Sequence, residues 1–496
     1  MVYYLGIDVG TSGTKALIMD AGGRVLATAT GSHTVSAPRP SWSEQNPHQW
    51  WSATVNAVRA AVAAAKIDGS QIAGIGLSGQ MHGLVCLDDS GKALRPAIIW
   101  NDQRTAEQAE QIERTAGGKA ALVGLVGNVA MTSFTLTKLM WVRRNEPRIY
   151  KRIRHILLPK DYIRLRMTGE YAGDVSDMSG TLMLDQRRRD WSKKILKLFA
   201  IDQNILPPVY ESHEISGEVT RLASLRLGIP AGVPVVAGAG DQPAGAVGCG
   251  VVKAGLVSAA MGTSGVVLTH SPRYITDPAG GVQTFCSAVA GEYCIFGCIL
   301  SAGGSVQWLG ETLGDSYKSF DRQAARVRAG CDGLFFLPYL TGERTPHADP
   351  LARGGWIGIT ARTTRGQLIR SVMEGATFAM NDALTILRAR GVRPRQIRLS
   401  GGGARSALWR QMQADIYGST CVTVRTEEGP AYGAAILAAV GAGKYNSVPQ
   451  ACRTIVKTTQ TIKPDPETRR AYARYYRQYR RMYPALKQEF PRMAEL

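Results

Sequence analysis

Tyr3-Tyr4-Leu5-Gly6-Ile7-Asp8-Val9-Gly10-Thr11-Ser12-Gly13-Thr14-Lys15-Ala16-Leu17-Ile18-Met19 sets two apolar runs around one polar turn. Runs punctuated by glycine and hydroxyl residues read as two strands joined tightly at residues 10–13. Ala21-Gly22-Gly23 is a second turn, and residues 24–29 read as a third strand. Residues 48–66 carry Trp51, Val55, Val58 and Val62 at helical spacing. Residues 71–77 then read as a buried strand and residues 84–87 as another. This β-β-β-α-β order predicts an α/β domain.

The pattern recurs. Gly262-Thr263-Ser264-Gly265 again lies between short apolar runs, residues 255–261 and 266–268. Two such hairpins half a chain apart predict a duplicated domain with two phosphate-facing turns. A four-letter match is weak in a chain with 55 glycines, so the flanking strands carry the inference. Before the second hairpin, an apolar strand from Val235 runs into a Gly238-Ala239-Gly240 turn ahead of Asp241. Beyond it, the periodicity predicts a helix over 367–387 and a strand over 396–400 running into Gly401-Gly402-Gly403. A helix over 404–417 and another over 431–440 follow.

At 496 residues, the chain exceeds what one hydrophobic core supports, and two domains are expected. With 45% apolar and 20% charged residues, disorder is excluded as the main state. No apolar run approaches the roughly twenty residues of a membrane-spanning helix. The first residues lack a basic segment and reach an acid at Asp8, unlike a signal peptide. The eight cysteines are scattered, and the close pair Cys294 and Cys298 has the wrong spacing for a zinc knuckle. A reduced, cytoplasmic protein is expected.

Fifty-nine Lys and Arg against thirty-nine Asp and Glu leave a net charge of +20, which attracts polyanions, phosphorylated ligands or anionic membranes. Residues 444–496 hold twelve basic and four acidic side chains, hence +8 of that excess. There Tyr472, Tyr475, Tyr476, Tyr479 and Tyr483 recur every three or four residues among arginines. Such a stripe can stack bases and bind phosphates. The preferred reading is an amphipathic helix packed on its own domain, with a solvated basic face.

Several segments could carry chemistry. Asp8 ends a buried strand beside a turn rich in backbone N–H groups and hydroxyls, the donors that phosphate oxygens require. A carboxylate there can serve Mg²⁺ as a hard oxygen ligand, often through water. It could also be a surface Asp beside a simple hairpin. Triple glycine at 401–403 allows a ligand to lie against the backbone and a helix N-terminus, or is a flexible connection. No G-x-x-x-x-G-K-[ST] loop exists. Gly74-Ile75-Gly76-Leu77-Ser78-Gly79 matches the dinucleotide fingerprint only formally, because its glycines lie within a strand.

Asp241 follows an apolar strand, with the Gln242 amide beside it. Such a carboxylate can orient an alcohol and take its proton during phosphoryl transfer. It could equally cap a helix beginning near Ala244. His82, in Gly79-Gln80-Met81-His82-Gly83, could donate to a sugar hydroxyl or be a satisfied core histidine. Trp100-Asn101-Asp102-Gln103-Arg104 suits a polyol pocket, or a helix start capped by Asn101 or Asp102.

Taken together, these residues resemble the FGGY carbohydrate kinases, and within them the xylulokinase subgroup. The resemblance spans residues 6 to about 444. Ser133-Phe134-Thr135-Leu136-Thr137-Lys138-Leu139-Met140-Trp141-Val142 matches one family signature. Gly354-Gly355-Trp356-Ile357-Gly358-Ile359 through Gln367-Leu368 to Ser371-Val372-Met373-Glu374 matches the other. Subgroup features are Trp42-Ser43-Glu44-Gln45, Met81-His82, Trp100-Asn101-Asp102, Leu158-Pro159-Lys160-Asp161-Tyr162 and Gly342-Glu343-Arg344-Thr345-Pro346-His347. Glycerol kinases would carry Arg-Glu at 81–82.

The resemblance implies an α/β fold of two duplicated ribonuclease-H-like domains, of the actin and hexokinase type, around a cleft. Residues 1–244 would form the first and 245–496 the second. It implies ATP-dependent phosphorylation of D-xylulose to D-xylulose 5-phosphate, with Asp241 as base and Asp8 organising Mg²⁺ and ATP, the ion held through water. Gly10, Thr11, Ser12, Gly262, Thr263 and Ser264 would line the phosphates, and Gly401, Gly402 and Gly403 the adenosine. Met81, His82, Gln242, Trp100 and Asp102 would meet the sugar. Many xylulokinases carry Asn after the catalytic Asp, where this chain has Gln242. A homodimer is expected, with no membrane or nucleic acid partner. The alternatives are a family member acting on ribulose, gluconate or another polyol, or a nucleotide-gated polyanion-binding protein.

Overall fold

The computed structural model describes residues 1–426 and 428–495. β1 (Tyr3–Val9) runs antiparallel to β2 (Gly13–Asp20), which pairs with β3 (Val25–Ser32). After α1 (Pro47–Ala65), β4 (Ile72–Gly79) returns parallel to β1. Two helices, α2 (Thr135–Asn145) and α3 (Pro159–Thr168), then lead to β5 (Ile215–Glu218), β6 (Pro234–Val236) and β7 (Ala239–Gly240). These last strands complete the sheet beyond β4, in the order β5-β6-β4-β1-β2-β3 with β7 also on β4. Where the sequence predicts a turn at 238–240, the short strand β7 stands instead, and α4 (Asp241–Gly248) follows directly.

The second half repeats the plan. β8 (Leu256–Met261) and β9 (Gly265–Ser271) form the hairpin, continued by β10 (Gln283–Cys286) and β11 (Tyr293–Ile299). After α5 (Arg365–Ala389), β12 (Gln396–Ser400) runs parallel to β8. The helix expected from residue 404 starts later. A short 3₁₀ turn covers Gly402–Ala404, and α6 (Ala407–Tyr417) begins where the Ser406 hydroxyl accepts from Trp409 N. β13 (Cys421–Val424) then extends the sheet in parallel.

α7 (Gly429–Gly441), from the second half of the chain, packs on the first sheet. The register sets Gly6 of β1 opposite Gly76 of β4. A Cβ at Gly6 would stand 1.9 Å from Ala431 O, and one at Gly76 1.9 Å from Ala434 O. Across the same helix, a Cβ at Gly433 would stand 1.8 Å from Ala244 O of α4. Only hydrogen at these positions lets the backbones close, so glycine spacing fixes how the halves join.

β14 (Thr458–Ile462) ends the second sheet, and α8 (Pro466–Leu486) carries the tyrosine stripe. Its rings face inward. Tyr472 Oη donates to Glu374 (2.8 Å), Tyr476 Oη donates to Asp382 (2.6 Å), and the Tyr483 ring stacks on His347 at 3.4 Å. Arg470, Arg474, Arg477 and Arg481 stay exposed on the outer side. The tyrosines therefore anchor the helix and are not presented for base stacking. All eight cysteines are buried thiols. Among the described residues, no helix is long and apolar enough to cross a membrane.

Candidate active site

The parallel strands β1, β4 and β7 end side by side. Asp8 lies in register with Ser78, and Gly240 with Gly79. The residues that follow, Gly10, Gln80 and Asp241, therefore emerge together at the carboxyl edge, where open α/β sheets bind ligands. Asp8 Oδ1 accepts from Ser78 Oγ at 3.0 Å. Burial pushes its carboxyl up to about 6, against the pull of Ser78 and Lys15. Asp241 rises further, to about 7, through burial and then the nearby charge of Asp8, with the Gln242 amide opposing. Two acids, each raised by burial and the second raised further by the charge of the first, make a site that a cation and a proton-bearing substrate would relieve.

Asp241 is not a helix cap. It is the first helical residue of α4, Gly240 occupies the cap, and Gln242 Nε2 donates to Asp241 Oδ1 at 3.2 Å. The side chain stays partly exposed. Met81 lies beside this strand end, because a Cβ at Gly240 would meet its side chain at 2.7 Å.

His82 adopts a left-handed backbone (φ 70°), a strained conformation for a non-glycine residue. Its Nδ1 lies 3.1 Å from Gly180 O, and its ring packs edge-on against Phe134 and Phe285. Burial holds the imidazole well below its ordinary value, with the charge of Lys138 adding to the effect. A neutral ring donating from Nδ1 keeps Nε2 as an acceptor. With Nδ1 turned to Gly180 O, the nitrogen left for a ligand is an acceptor and not the donor that the sequence reading offered.

The first turn is braced by residues whose role the sequence did not reveal. Gly10 N donates to Gly13 O (3.0 Å), closing the turn. Gln45 Nε2 donates to Thr11 O (2.6 Å), Gln80 Nε2 to Gln45 Oε1 (2.7 Å), and Trp50 Nε1 to Gln45 Oε1 (3.1 Å). Trp100 Nε1 donates to Thr11 Oγ1 at 2.9 Å, which ties the predicted pocket residue to the phosphate turn. Ser12 remains exposed.

Asp102 behaves differently. It is fully buried, accepts from Ser43 N (2.6 Å), and takes Arg104 Nη2 (2.7 Å) and Nε (2.9 Å) on its two oxygens. Neither Asn101 nor Asp102 caps a helix, since the next begins at Ala106 behind Thr105. The geometry gives Asp102 the work of fixing Arg104, whose guanidinium lies 3.5 Å over the Trp42 ring.

The second turn and the triple glycine meet. Gly401 has φ 78°, and a Cβ there would stand 2.5 Å from Met261 O. A Cβ at Gly403 would meet the Met261 sulfur at 2.6 Å. Gly303 N donates to Gly262 O (2.8 Å) and Gly304 N to Thr263 O (3.0 Å), so the start of the helix Gly303–Leu313 closes the same cradle. Gly262, Thr263 and Gly402 lie exposed, and Ser264 partly so. Gly303 and Gly304 gave no sequence signal because Gly-Gly alone does not say which turn it will approach.

Beneath Asp241 lies a buried charge cluster. Lys160 Nζ stands 2.5 Å from Asp161, 2.8 Å from Asp174 and 3.4 Å from Asp177, with none of the four side chains exposed. Gly240 N donates to Ser176 Oγ (3.3 Å), which donates to Asp174 (2.5 Å), linking the cluster to the strand before Asp241.

Residues 3–248 match the N-terminal domain, and residues 257–442 the C-terminal domain, of the FGGY family of carbohydrate kinases. The chain belongs to this family. FGGY kinases are what its duplicated sheets and paired turns build, and it is an ATP-dependent carbohydrate kinase. It is 40% identical to the xylulose kinase of Escherichia coli strain K12 over 486 residues, 97% of this chain and 99% of that relative. A xylulose kinase structure from Rhodospirillum rubrum is 30% identical, with a TM-score of 0.91, covering 98% of this chain and 99% of that one. A gluconate kinase structure from Lactobacillus acidophilus, 24% identical with 99% of each chain covered, has a TM-score of 0.93 and shares the fold. The FGGY fold alone therefore does not choose the sugar.

Proposed function

We propose that this kinase transfers the γ-phosphoryl group of ATP to the C5 hydroxyl of D-xylulose. The observation that carries the proposal is the row of Asp8, Met81-His82 and Asp241-Gln242 along one strand edge. The identity to xylulose kinases supports the choice of sugar. Asp241 takes the hydroxyl proton as the oxygen bonds to γ-phosphorus, while the bond to the bridging β-oxygen breaks and ADP leaves. Gln242 orients the Asp241 carboxylate, and His82 Nε2 accepts from a sugar hydroxyl. Thr11 and Ser12 face the phosphates from the first turn, Thr263 and Ser264 from the second, and Gly401 to Gly403 receive the adenosine. Asp8 fits a Mg²⁺ ion held through water, since Ser78 engages only one of its oxygens and burial leaves its charge poorly solvated. Mg²⁺ would supply charge neutralisation on the phosphates.

The test is ADP release with D-xylulose, D-ribulose, L-xylulose, glycerol, gluconate and no sugar. Selective turnover with D-xylulose is expected, whereas preference for gluconate or a ribulose would replace the substrate and keep the reaction.

The pH profile has a definite sign. Asp241 works as a base only when ionised, so kcat/KM should fall as pH drops. The midpoint is expected above the ordinary Asp value of about 3.9 and no higher than about 7, because a cation at Asp8 would offset part of the repulsion. A kcat/KM that does not fall anywhere between pH 8 and pH 4 would contradict Asp241 as base.

A further inference from the structure

We propose that Lys138 and Thr135, neighbours on one face of α2, are the positioning residues of His82. Both donate to its main-chain carbonyl and hold it in the left-handed conformation that turns Nε2 to the sugar. This rests on the sugar-kinase reading above and deepens it, since it says what keeps the imidazole in place.

Lys138 is out of keeping with its surroundings. Its side chain is fully buried, on the same helix as Leu136, Leu139 and Met140 of an apolar core. Among the described residues it forms no ion pair. Its amine goes instead to main-chain oxygens, Nζ donating to His82 O (3.0 Å) and to Ser133 O. Burial pulls the ammonium well below the ordinary lysine value, with the charge of Asp102 opposing. Either protonation state keeps the two N–H groups that these two carbonyls take. A lysine buried without a carboxylate costs stability, so packing does not account for it.

The carbonyl that it holds belongs to a strained residue. A left-handed backbone (φ 70°) at a non-glycine residue persists only where the surroundings over-determine it. Thr135 Oγ1 donates to the same oxygen at 3.1 Å, so His82 O takes two donors from positions three residues apart on one helix. On the other side, Gly180 O lies 3.1 Å from Nδ1, and a Cβ at Gly180 would stand 2.4 Å from that nitrogen. The Phe134 ring packs edge-on against the imidazole at 4.8 Å between centroids. With the carbonyl and Nδ1 both fixed, the planar ring leaves Nε2 one direction. Without Lys138, residues 80–83 would relax towards an ordinary conformation and carry the imidazole with them.

The experiment measures steady-state constants for ATP and for whichever sugar the parent turns over, with melting temperature beside them. The variants are Lys138→Met, Thr135→Val, Thr135→Ser, His82→Ala and Lys138→Met combined with His82→Ala. Lys138→Met should raise the sugar KM about ten- to a hundredfold, the effect of a binding group displaced by about 1 Å. Thr135→Val should raise it about two- to tenfold. The ATP KM should hold, and Thr135→Ser, which keeps the hydroxyl, should recover most of the loss. On top of His82→Ala, Lys138→Met should add nothing to the sugar KM, because it acts through that side chain. An effect that adds in full would overturn the proposal, as would an ATP KM rising in step. So would a sugar KM that Lys138→Met leaves unchanged while His82→Ala raises it. If Lys138→Met does not fold, Thr135→Val with and without His82→Ala decides by the same results. A sugar KM unmoved by His82→Ala would take His82 away from the sugar, and that result alone ends the pocket reading together with the proposal.

Discussion

Replacing Asp241 by alanine should lower kcat by about 100- to 10,000-fold, the range a positioned general base contributes, while ATP binding stays within a few-fold of the parent. The argument rests on what Asp241 touches. Among the described residues its side chain accepts only from its neighbour Gln242 and forms no ion pair, and it stands at the partly exposed start of α4. Losing it removes no core contact. It also removes a negative charge that burial and Asp8 already disfavour.

Stability should respond with a definite sign. The folded pKa is raised to about 7 from an unfolded value of about 3.9. Any stabilising contribution of this carboxyl is therefore complete below pH 4 and lost as pH rises to 7. The alanine variant should melt at or above the parent temperature at pH 8, and its relative advantage should shrink towards pH 4. Calorimetric titration with ATP and a thermal melt at both pH values check this. Loss of ATP binding together with a lower melting temperature would make Asp241 a structural residue.

Lys160→Met should cost stability on the largest scale of any single change in the first half. The substitution keeps length and volume but leaves Asp161, Asp174 and Asp177 buried, with Arg164 alone to serve Asp161 at 2.8 Å. Removing one partner of a buried ion pair typically costs about 3–5 kcal/mol. For a domain of this size, that corresponds to a fall of roughly 6–20 °C in apparent melting temperature.

The deficit should depend on pH. Asp177 is already pushed well above the ordinary carboxylate range by burial, with Lys160 holding it down. Without that ammonium, Asp177 holds its proton to still higher pH when folded. Groups with raised folded values favour the fold at low pH and lose that contribution as pH rises, so the variant should recover partly at pH 5 and be worst at pH 8. Melting within two or three degrees of the parent at both pH values would refute the assignment. Because Gly240 is tied to the cluster through Ser176 and Asp174, kcat should fall as well.

Much of this was legible in the residues themselves. The hairpins at 3–19 and 256–271 declare themselves because apolar runs, glycine and hydroxyl residues stand in fixed local order, and strand pairing across a short turn needs nothing distant. Asp8 and Asp241 stood out for the same reason, as acids at the ends of apolar strands. Family motifs such as Ser133 to Val142 made the resemblance specific, and the domain matches bear it out.

Other features depend on where distant segments meet. Asp102 lies in a stretch that suits a polyol pocket, and only the fold sets Ser43 N and Arg104 on its oxygens. His82 offers its Nε2 as an acceptor because Gly180 O, about a hundred residues on, accepts the hydrogen bond from Nδ1. Gln45 and Gln80 brace Thr11 only because α1 and β4 bring them together. Local order in the chain thus determined the strands, the turns and the paired acids, since those follow from neighbouring residues competing for backbone hydrogen bonds and burial. Which side chains are spent on one another and which stay free for a substrate was decided by the tertiary structure, because hydrogen bonds and charges are satisfied in space, between residues that sequence separation does not relate.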